Sequence, residues 1–176
     1  MSKVFLSAGH HTARQGASFR GRTELVEALY WISLIANGSK NGNLVVVPPG
    51  LLSEKVDFIN TRCEEGDVAI EIHFNSAKDS EGNNIGRGCE TLYFPESKSS
   101  KDLAELVNGV VAKYVSHNRG VKEGWYRRDK SRGPDYFLVR TVCPAVIVEP
   151  EFIHRLDLVD CKRICSDLSE LVINRE

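Results

Sequence analysis

Short, continuous apolar runs alternate along the chain with segments whose apolar residues recur at helical spacing. Such runs are typical of buried strands, and a spacing of three and four residues is typical of helices that cover a core with one face. The pattern predicts strands at Val4–Ala8, Leu44–Val47, Val68–His73, Cys89–Phe94 and Ala145–Glu149. It predicts helices at Thr23–Ala36, Leu52–Cys63, Ser99–Val115 and Leu156–Ile173.

Two further segments have a weaker pattern. Tyr136–Val142 indicates a short edge strand, and Gly120–Pro134, which is rich in arginine, lysine and glycine, indicates an exposed loop. Because strands alternate with helices, we predict a three-layer α/β/α sandwich around a twisted, mostly parallel sheet of about six strands. We expect a single domain over residues 1–176.

Charge and composition exclude several classes of protein. A formal net charge of -1 over 176 residues gives no electrostatic footprint for nucleic acid. We read neither a membrane-spanning stretch nor a secretory signal, and therefore expect synthesis as a soluble cytoplasmic protein. The five cysteines are an odd number without a C-x-x-C pair, which argues against a disulfide framework and against a thiolate zinc site.

Residues that can bind a metal follow or end the predicted strands. His10 and His73 come directly after apolar strands, Glu149 ends another, and Glu24 begins the helix after the first strand and its loop. In an open α/β sheet, ligands bind outside the carboxyl ends of the strands. Two histidines and a carboxylate with an open fourth position are typical of a catalytic zinc, and Glu149 would then be the general base.

Each of these residues also has a purely structural interpretation. A histidine after a glycine turn can hydrogen-bond the backbone, and Glu24 and Glu27 can favour the positive end of a helix dipole. Glu149, at the end of an apolar strand, needs a partner, for which a metal, Arg140 and Arg155 are alternatives.

Three more titratable residues are predicted to lie outside the site. Glu90 is interpreted as a solvated strand residue, with a contact to substrate as the alternative, and His117 and His154 are predicted at the surface.

Four separated segments carry recognisable motifs in order: Ala8-Gly9-His10, Thr23-Glu24, Ile72-His73-Phe74-Asn75 and the run from Pro144 to Phe152. In these segments the chain resembles the zinc-dependent N-acetylmuramoyl-L-alanine amidases of the amidase-3 type, which include cell-wall autolysins and phage endolysins. Intervening segments also match in order, so that the resemblance covers nearly the whole chain.

The resemblance implies cleavage of the amide between the lactyl group of N-acetylmuramic acid and the L-alanine of the stem peptide. It implies one zinc ion held by His10, Glu24 and His73, with Glu149 as general base and then general acid. Asn75 and, in the loop 120–134, Trp125 are candidate substrate contacts. Peptidoglycan is the expected partner, without nucleic acid or membrane insertion, and a monomer is expected.

The chain departs from the family pattern at three places. His11 stands where the family usually has glycine, so that His10 and His11 compete for the metal; we favour His10 because it follows Gly9 directly and because adjacent side chains leaving a strand point in opposite directions. Glu71 replaces a usual serine, and residues 150–151 replace a small pair ending in glycine.

Other functions are compatible with the same motifs. A zinc peptidase that cuts within the stem peptide would use the same sheet and metal, and a wall-binding module could keep the fold without catalysis. We predict no separate wall-binding domain and no export signal, which favours a phage-type lysin released at lysis or the catalytic domain of a larger enzyme.

Overall fold

A six-stranded sheet forms the centre of the protein, in a computed structural model that describes residues 2–39, 42–126 and 129–173. The strands in chain order are β1 (Val4–Ala8), β2 (Ser18–Phe19), β3 (Arg22–Thr23), β4 (Leu44–Val46), β5 (Val68–Ile72), β6 (Cys89–Tyr93), β7 (Asn118–Glu123) and β8 (Ala145–Glu149). The sheet has the order β4-β1-β5-β8-β6-β7, whereas β2 and β3 form a separate two-stranded hairpin. Neighbouring strands of the sheet are parallel except for β6 and β8, which confirms the predicted mostly parallel sheet.

Helices cover both faces of this sheet. They are α1 (Glu24–Gly38), α2 (Leu52–Asn60), α3 (Lys98–Val111), α4 (Tyr136–Arg140) and α5 (Cys161–Ile173). The larger apolar core joins one face of the sheet to α1, α3 and α5, and a smaller one joins the opposite face to α2 and α4. The predicted three-layer α/β/α sandwich is therefore confirmed.

The apolar runs form strands because both faces of the sheet are covered. Side chains alternate between the two faces of a strand, and in β1 Val4 and Leu6 enter the larger core while Phe5 enters the smaller one. In β5, Ala69 points to the α2 side. Glu71, two residues later, therefore lies on that same face.

Two weakly patterned segments were assigned wrongly from the sequence. Tyr136–Val142 does not contain an edge strand: Tyr136–Arg140 is the helix α4, which the Asp135 carboxylate caps by accepting a hydrogen bond from the Phe137 amide at 3.0 Å. The edge strand is β7, which begins at Asn118 and takes in the start of the predicted loop 120–134. An edge strand pairs on one side only and has less need of apolar residues, so its polar sequence resembles a loop.

Smaller differences concern the ends of elements. The last helix begins at Cys161, after a separate 3-10 segment at Ile153–Leu158. Strand β4 ends at Val46, which is 43% exposed because this strand lies at the other edge of the sheet.

All five cysteines are free thiols, in agreement with the prediction against a disulfide framework. In the described part of the chain, none of the helices has the length and apolar character needed to cross a bilayer.

Candidate metal centre

Two histidines and a glutamate meet at the carboxyl edge of the sheet. His10 follows β1, Glu24 is the first residue of α1, and His73 follows β5. One potential ligand atom from each lies within 4.8 Å of the other two. His10 Nε2 is 3.0 Å from Glu24 Oε2, and His73 Nδ1 is 3.3 Å from Glu24 Oε1. We refer to these three residues as the His-Glu-His cluster.

The topology of the sheet explains why the two histidines are neighbours. β1 and β5 are adjacent and parallel, with Ala8 opposite Ile72 at their ends. The Gly9 amide donates to the Ile72 carbonyl at 2.8 Å, which extends this pairing into the turn that carries His10. Parallel strands that end side by side therefore deliver both imidazoles to one place.

Two glycines, Gly9 and Gly16, leave space for the rings of His73 and His10. His10 has φ +65°, in the left-handed region that few residues other than glycine adopt. A Cβ atom on Gly16 would lie 2.4 Å from His10 Cδ2, and one on Gly9 would lie 2.4 Å from His73 Nε2. A side chain at either glycine would displace a ring of the cluster.

The structure distinguishes the two adjacent histidines. His10 belongs to the cluster, whereas His11 is not part of it and forms a backbone pair with Arg14, its backbone amide donating to the Arg14 carbonyl at 3.2 Å. His11 lines a cleft of about 320 Å³ with Arg14 and Tyr126, and this cleft adjoins the cluster because His10 and His73 line it too. The geometry thus favours His10 as the ligand.

The Glu24 carboxylate is held by donors from outside its own helix. Oε2 accepts a hydrogen bond from the Ala17 amide at 2.7 Å, and Oε1 accepts one from the Phe74 amide at 3.1 Å. Burial opposes the charged form, but hydrogen bonds with His10 and His73 outweigh it and hold the pKa of Glu24 well below its usual range. Thr23 caps α1, its hydroxyl accepting a hydrogen bond from the Val26 backbone amide.

Glu149 lies at the end of β8, beside the cluster. It lines an open cleft of about 360 Å³ together with all three cluster residues and Asn75. The side-chain amide nitrogen of Asn75, Nδ2, donates to Glu149 Oε2 and, at 2.6 Å, to Glu90 Oε1. The two arginines predicted as alternative partners have contacts of their own: the Arg155 Nε atom is 3.8 Å from Glu151, and the Arg140 guanidinium lies over the Tyr136 ring.

The prediction that Glu90 is solvated is wrong. Its side chain is 1% exposed and forms ion pairs with Arg119, at 3.0 Å, and with Lys122. Glu90 is buried because β6 lies between β7 and β8, where it stands directly opposite Glu149. Because the side chain of Asn75 donates to both carboxylates, Glu90 is linked to the candidate base Glu149.

The predicted surface histidines differ from each other. His117 is exposed, as expected. His154 is half-buried, with its ring edge-on to Phe19 and to Phe152, so the prediction is wrong for this residue. Trp125 is also half-buried, and its indole nitrogen donates to the Glu123 carboxylate at 3.0 Å. Residues 127 and 128 of the predicted substrate loop lie outside the described residues.

A buried ion pair that the sequence interpretation missed lies behind His73. Glu71 Oε2 is 3.1 Å from His73 Nε2, and Glu71 Oε1 is 2.6 Å from Lys55 Nζ. Burial opposes both charged forms, but hydrogen bonds with His73 and Lys55 lower the pKa of Glu71 to about 2, and those with Glu24 and Glu71 raise the pKa of His73 to about 10. The available signals were a carboxylate inside the apolar strand β5 and a lysine on the apolar face of α2.

The cluster has the composition of a metal site. Two imidazole nitrogens and one carboxylate oxygen suit divalent metals, and three protein ligands leave a position for water or substrate. The cluster borders an open cleft rather than a closed cavity, which fits such an exchangeable position.

Comparison with known proteins identifies the family. The sequence profile of the N-acetylmuramoyl-L-alanine amidases matches residues 4–157. The chain belongs to this family. Members are peptidoglycan hydrolases, so the predicted family and class of activity are confirmed. No curated protein sequence matches the chain.

Solved structures share the amidase fold over almost the whole chain. An N-acetylmuramoyl-L-alanine amidase from Clostridium difficile 630 is 23% identical, with a TM-score of 0.74 over 98% of this chain and 92% of that one. The catalytic domain of the amidase CwlV from Bacillus (Paenibacillus) polymyxa var. colistinus is 22% identical, with a TM-score of 0.75 over 97% and 95%. The catalytic domain of an endolysin targeting Clostridia Difficile is 18% identical, with a TM-score of 0.74 over 100% and 99%. At these identities the likeness establishes the fold.

Proposed function

We propose that the chain hydrolyses the amide bond between the lactyl group of N-acetylmuramic acid and the L-alanine of the stem peptide, with one zinc ion as cofactor. Family membership supports the substrate class. The observation that carries the chemistry is the shared cleft, in which the His-Glu-His cluster and Glu149 line the same open space.

The cluster residues are the proposed metal ligands. His10, Glu24 and His73 present nitrogen and oxygen atoms of the types that zinc prefers. Zinc bound in such a site supplies Lewis-acid polarisation of the scissile carbonyl and activation of water, together worth several kcal/mol. The backbone donors on Glu24, from Ala17 and Phe74, fix the orientation of its carboxylate for this role.

Glu149 is the proposed proton carrier. As general base it accepts a proton from the attacking water, and as general acid it returns that proton to the leaving amine. Asn75 is 7% exposed, and its amide nitrogen faces Glu149 Oε2. We therefore infer that Asn75 orients the base, a role different from the substrate contact predicted for it from the sequence.

The test is digestion of purified peptidoglycan by protein of known zinc content, with the new ends identified by mass spectrometry. Amidase action frees L-alanine amino termini and leaves intact lactyl groups. New termini within the stem peptide or new reducing sugar ends would contradict the proposal.

Two variants test the role of Glu149. Glu149→Gln is expected to abolish cleavage while zinc stays bound, because the amide cannot accept the proton. Glu27→Gln is the matched control, since Glu27 pairs with Arg22 at 3.6 Å and is not part of the cluster. Cleavage by Glu149→Gln at the rate of the unchanged protein would refute the assignment of the base.

We further propose that the chain acts on the cell wall as a monomer with one catalytic domain, and that it reaches the wall by phage-type release after cytoplasmic synthesis. The two apolar cores, which lie on opposite faces of one sheet, support a single domain. Analytical ultracentrifugation tests the monomer. Fractionation of intact and lysing cells tests the route, and export from intact cells would contradict release at lysis.

A further inference from the structure

The buried pair behind His73 holds a carboxylate in one orientation. The side chains of Glu71 and Lys55 are 3% and 2% exposed. Lys55 Nζ donates to Glu71 Oε1 at 2.6 Å and to the Ala8 carbonyl at 2.7 Å, which ties α2 to β1 and β5. The Ser7 hydroxyl, 3.2 Å from the same Oε1 atom, is a second donor. With Oε1 occupied in this way, Oε2 is the oxygen that faces His73 Nε2, at 3.1 Å.

We propose that Glu71, held by Lys55, is a positioning residue that makes His73 bind the metal through Nδ1. This inference rests on the proposed function, in which His73 is a ligand. Each ring nitrogen of His73 faces a carboxylate, Glu24 at Nδ1 and Glu71 at Nε2. A metal ion would replace one ring proton and leave a neutral imidazole with one N–H donor and one lone pair. Glu24 is itself a proposed ligand, whereas Glu71 is not. Because a carboxylate accepts a hydrogen bond, Glu71 places the N–H at Nε2. The lone pair is then at Nδ1, the atom that lies 3.3 Å from Glu24 Oε1.

The orientation of the ring is restricted from a second direction. Gly9 packs so closely on the His73 ring that a Cβ there would lie 2.4 Å from Cε1 and Nε2. The ring is therefore held by backbone packing and by the hydrogen bond to Glu71. A partner that orients a ligating histidine typically contributes 10–100-fold to metal affinity.

The first experiment measures Zn²⁺ affinity of the full chain by competition with a chromophoric chelator. Glu71→Gln is expected to weaken Zn²⁺ binding by about 10–100-fold, because the amide no longer presents two acceptor oxygens to Lys55 and His73. Glu27→Gln, the same exchange away from the cluster, is expected to leave the affinity unchanged. Equal affinities of Glu71→Gln and the unchanged protein would overturn the inference.

The second experiment identifies directly which ring nitrogen of His73 binds the metal, and it needs no variant. Long-range ¹H–¹⁵N NMR of zinc-loaded protein with ¹⁵N-histidine is expected to show His73 protonated at Nε2 and metal-bound at Nδ1. Coordination through Nε2 would overturn the inference even if Glu71→Gln does not fold. The two proposals fail separately: an unchanged protein without Zn²⁺ binding contradicts the proposed function, whereas normal binding through Nε2 contradicts only the role of Glu71.

Discussion

Replacing Lys55 by methionine tests whether the buried pair stabilises the fold as well as the site. Methionine keeps most of the length of the side chain but removes the ammonium group, so the buried Glu71 carboxylate keeps His73 but loses the cationic partner of its Oε1 atom. Removing one member of a buried ion pair typically costs about 3–5 kcal/mol. For a domain of this size we expect the melting temperature of the metal-free protein to fall by about 6–20 °C, from about 2–4 °C per kcal/mol.

The double variant Lys55→Met/Glu71→Gln separates the lost pair from other effects of the lysine. It leaves no uncompensated charge, so its free energy of unfolding in urea should be higher than that of Lys55→Met alone. We expect a coupling of about 0.5–3 kcal/mol in the double-mutant cycle. The reasoning is refuted if Lys55→Met loses less than about 1 kcal/mol, or if the two substitutions are additive.

Three other predictions concern the packing of the cluster, the candidate base and the core. Gly16→Ala should weaken Zn²⁺ binding more than Gly21→Ala in chelator competition, because both positions have positive φ but only a Cβ at position 16 meets the cluster; equal affinities would contradict the packing argument. Asn75→Asp should shift the acidic limb of the pH profile of peptidoglycan cleavage to higher pH, because a further negative charge raises the pKa of Glu149; an unmoved limb would argue against their contact. Three buried cysteines, Cys89, Cys143 and Cys165, should react with iodoacetamide at pH 8 far more slowly in native than in unfolded protein, because burial raises the pKa values of their thiols. Rapid labelling of the native protein, measured by peptide mass spectrometry, would disprove this protection.

The layers of the fold could be predicted because each covered strand carries apolar residues toward both faces. In β1, Phe5 and its neighbours Val4 and Leu6 enter different cores, which is why the run is continuous rather than alternating. The His-Glu-His cluster could be anticipated because its members lie at the ends of elements, where the parallel topology alone brings them together.

Two elements, α4 and β7, could not be predicted from the spacing of apolar residues. The five-residue helix α4 is too short to show a helical period, and its start depends on the capping hydrogen bond of Asp135. Strand β7 has few apolar residues, and all of its residues are half-buried or exposed at the edge of the sheet. For these reasons α4 was predicted as a strand, and the part of β7 from residue 120 onward was predicted as a loop.

The partners of the candidate site needed tertiary information. Glu71 and Lys55 were visible in the sequence as charges on apolar faces, but only the packing of α2 against β5 shows that they meet. Likewise, the burial of Glu90 follows from the position of β6 between two other strands.

The reversed direction of β6 and β7 has a consequence for how substrate selectivity can change. These strands run opposite to β8, so their first residues, including Glu90 and Arg119, lie at the edge where the other strands end. The connections that enter β6 and β7 therefore open beside Glu149, while the histidines are carried by β1 and β5. Sequence changes in the segment 76–88, which leads into β6, can reshape the rim of the cleft while the strands that carry the ligands keep their register.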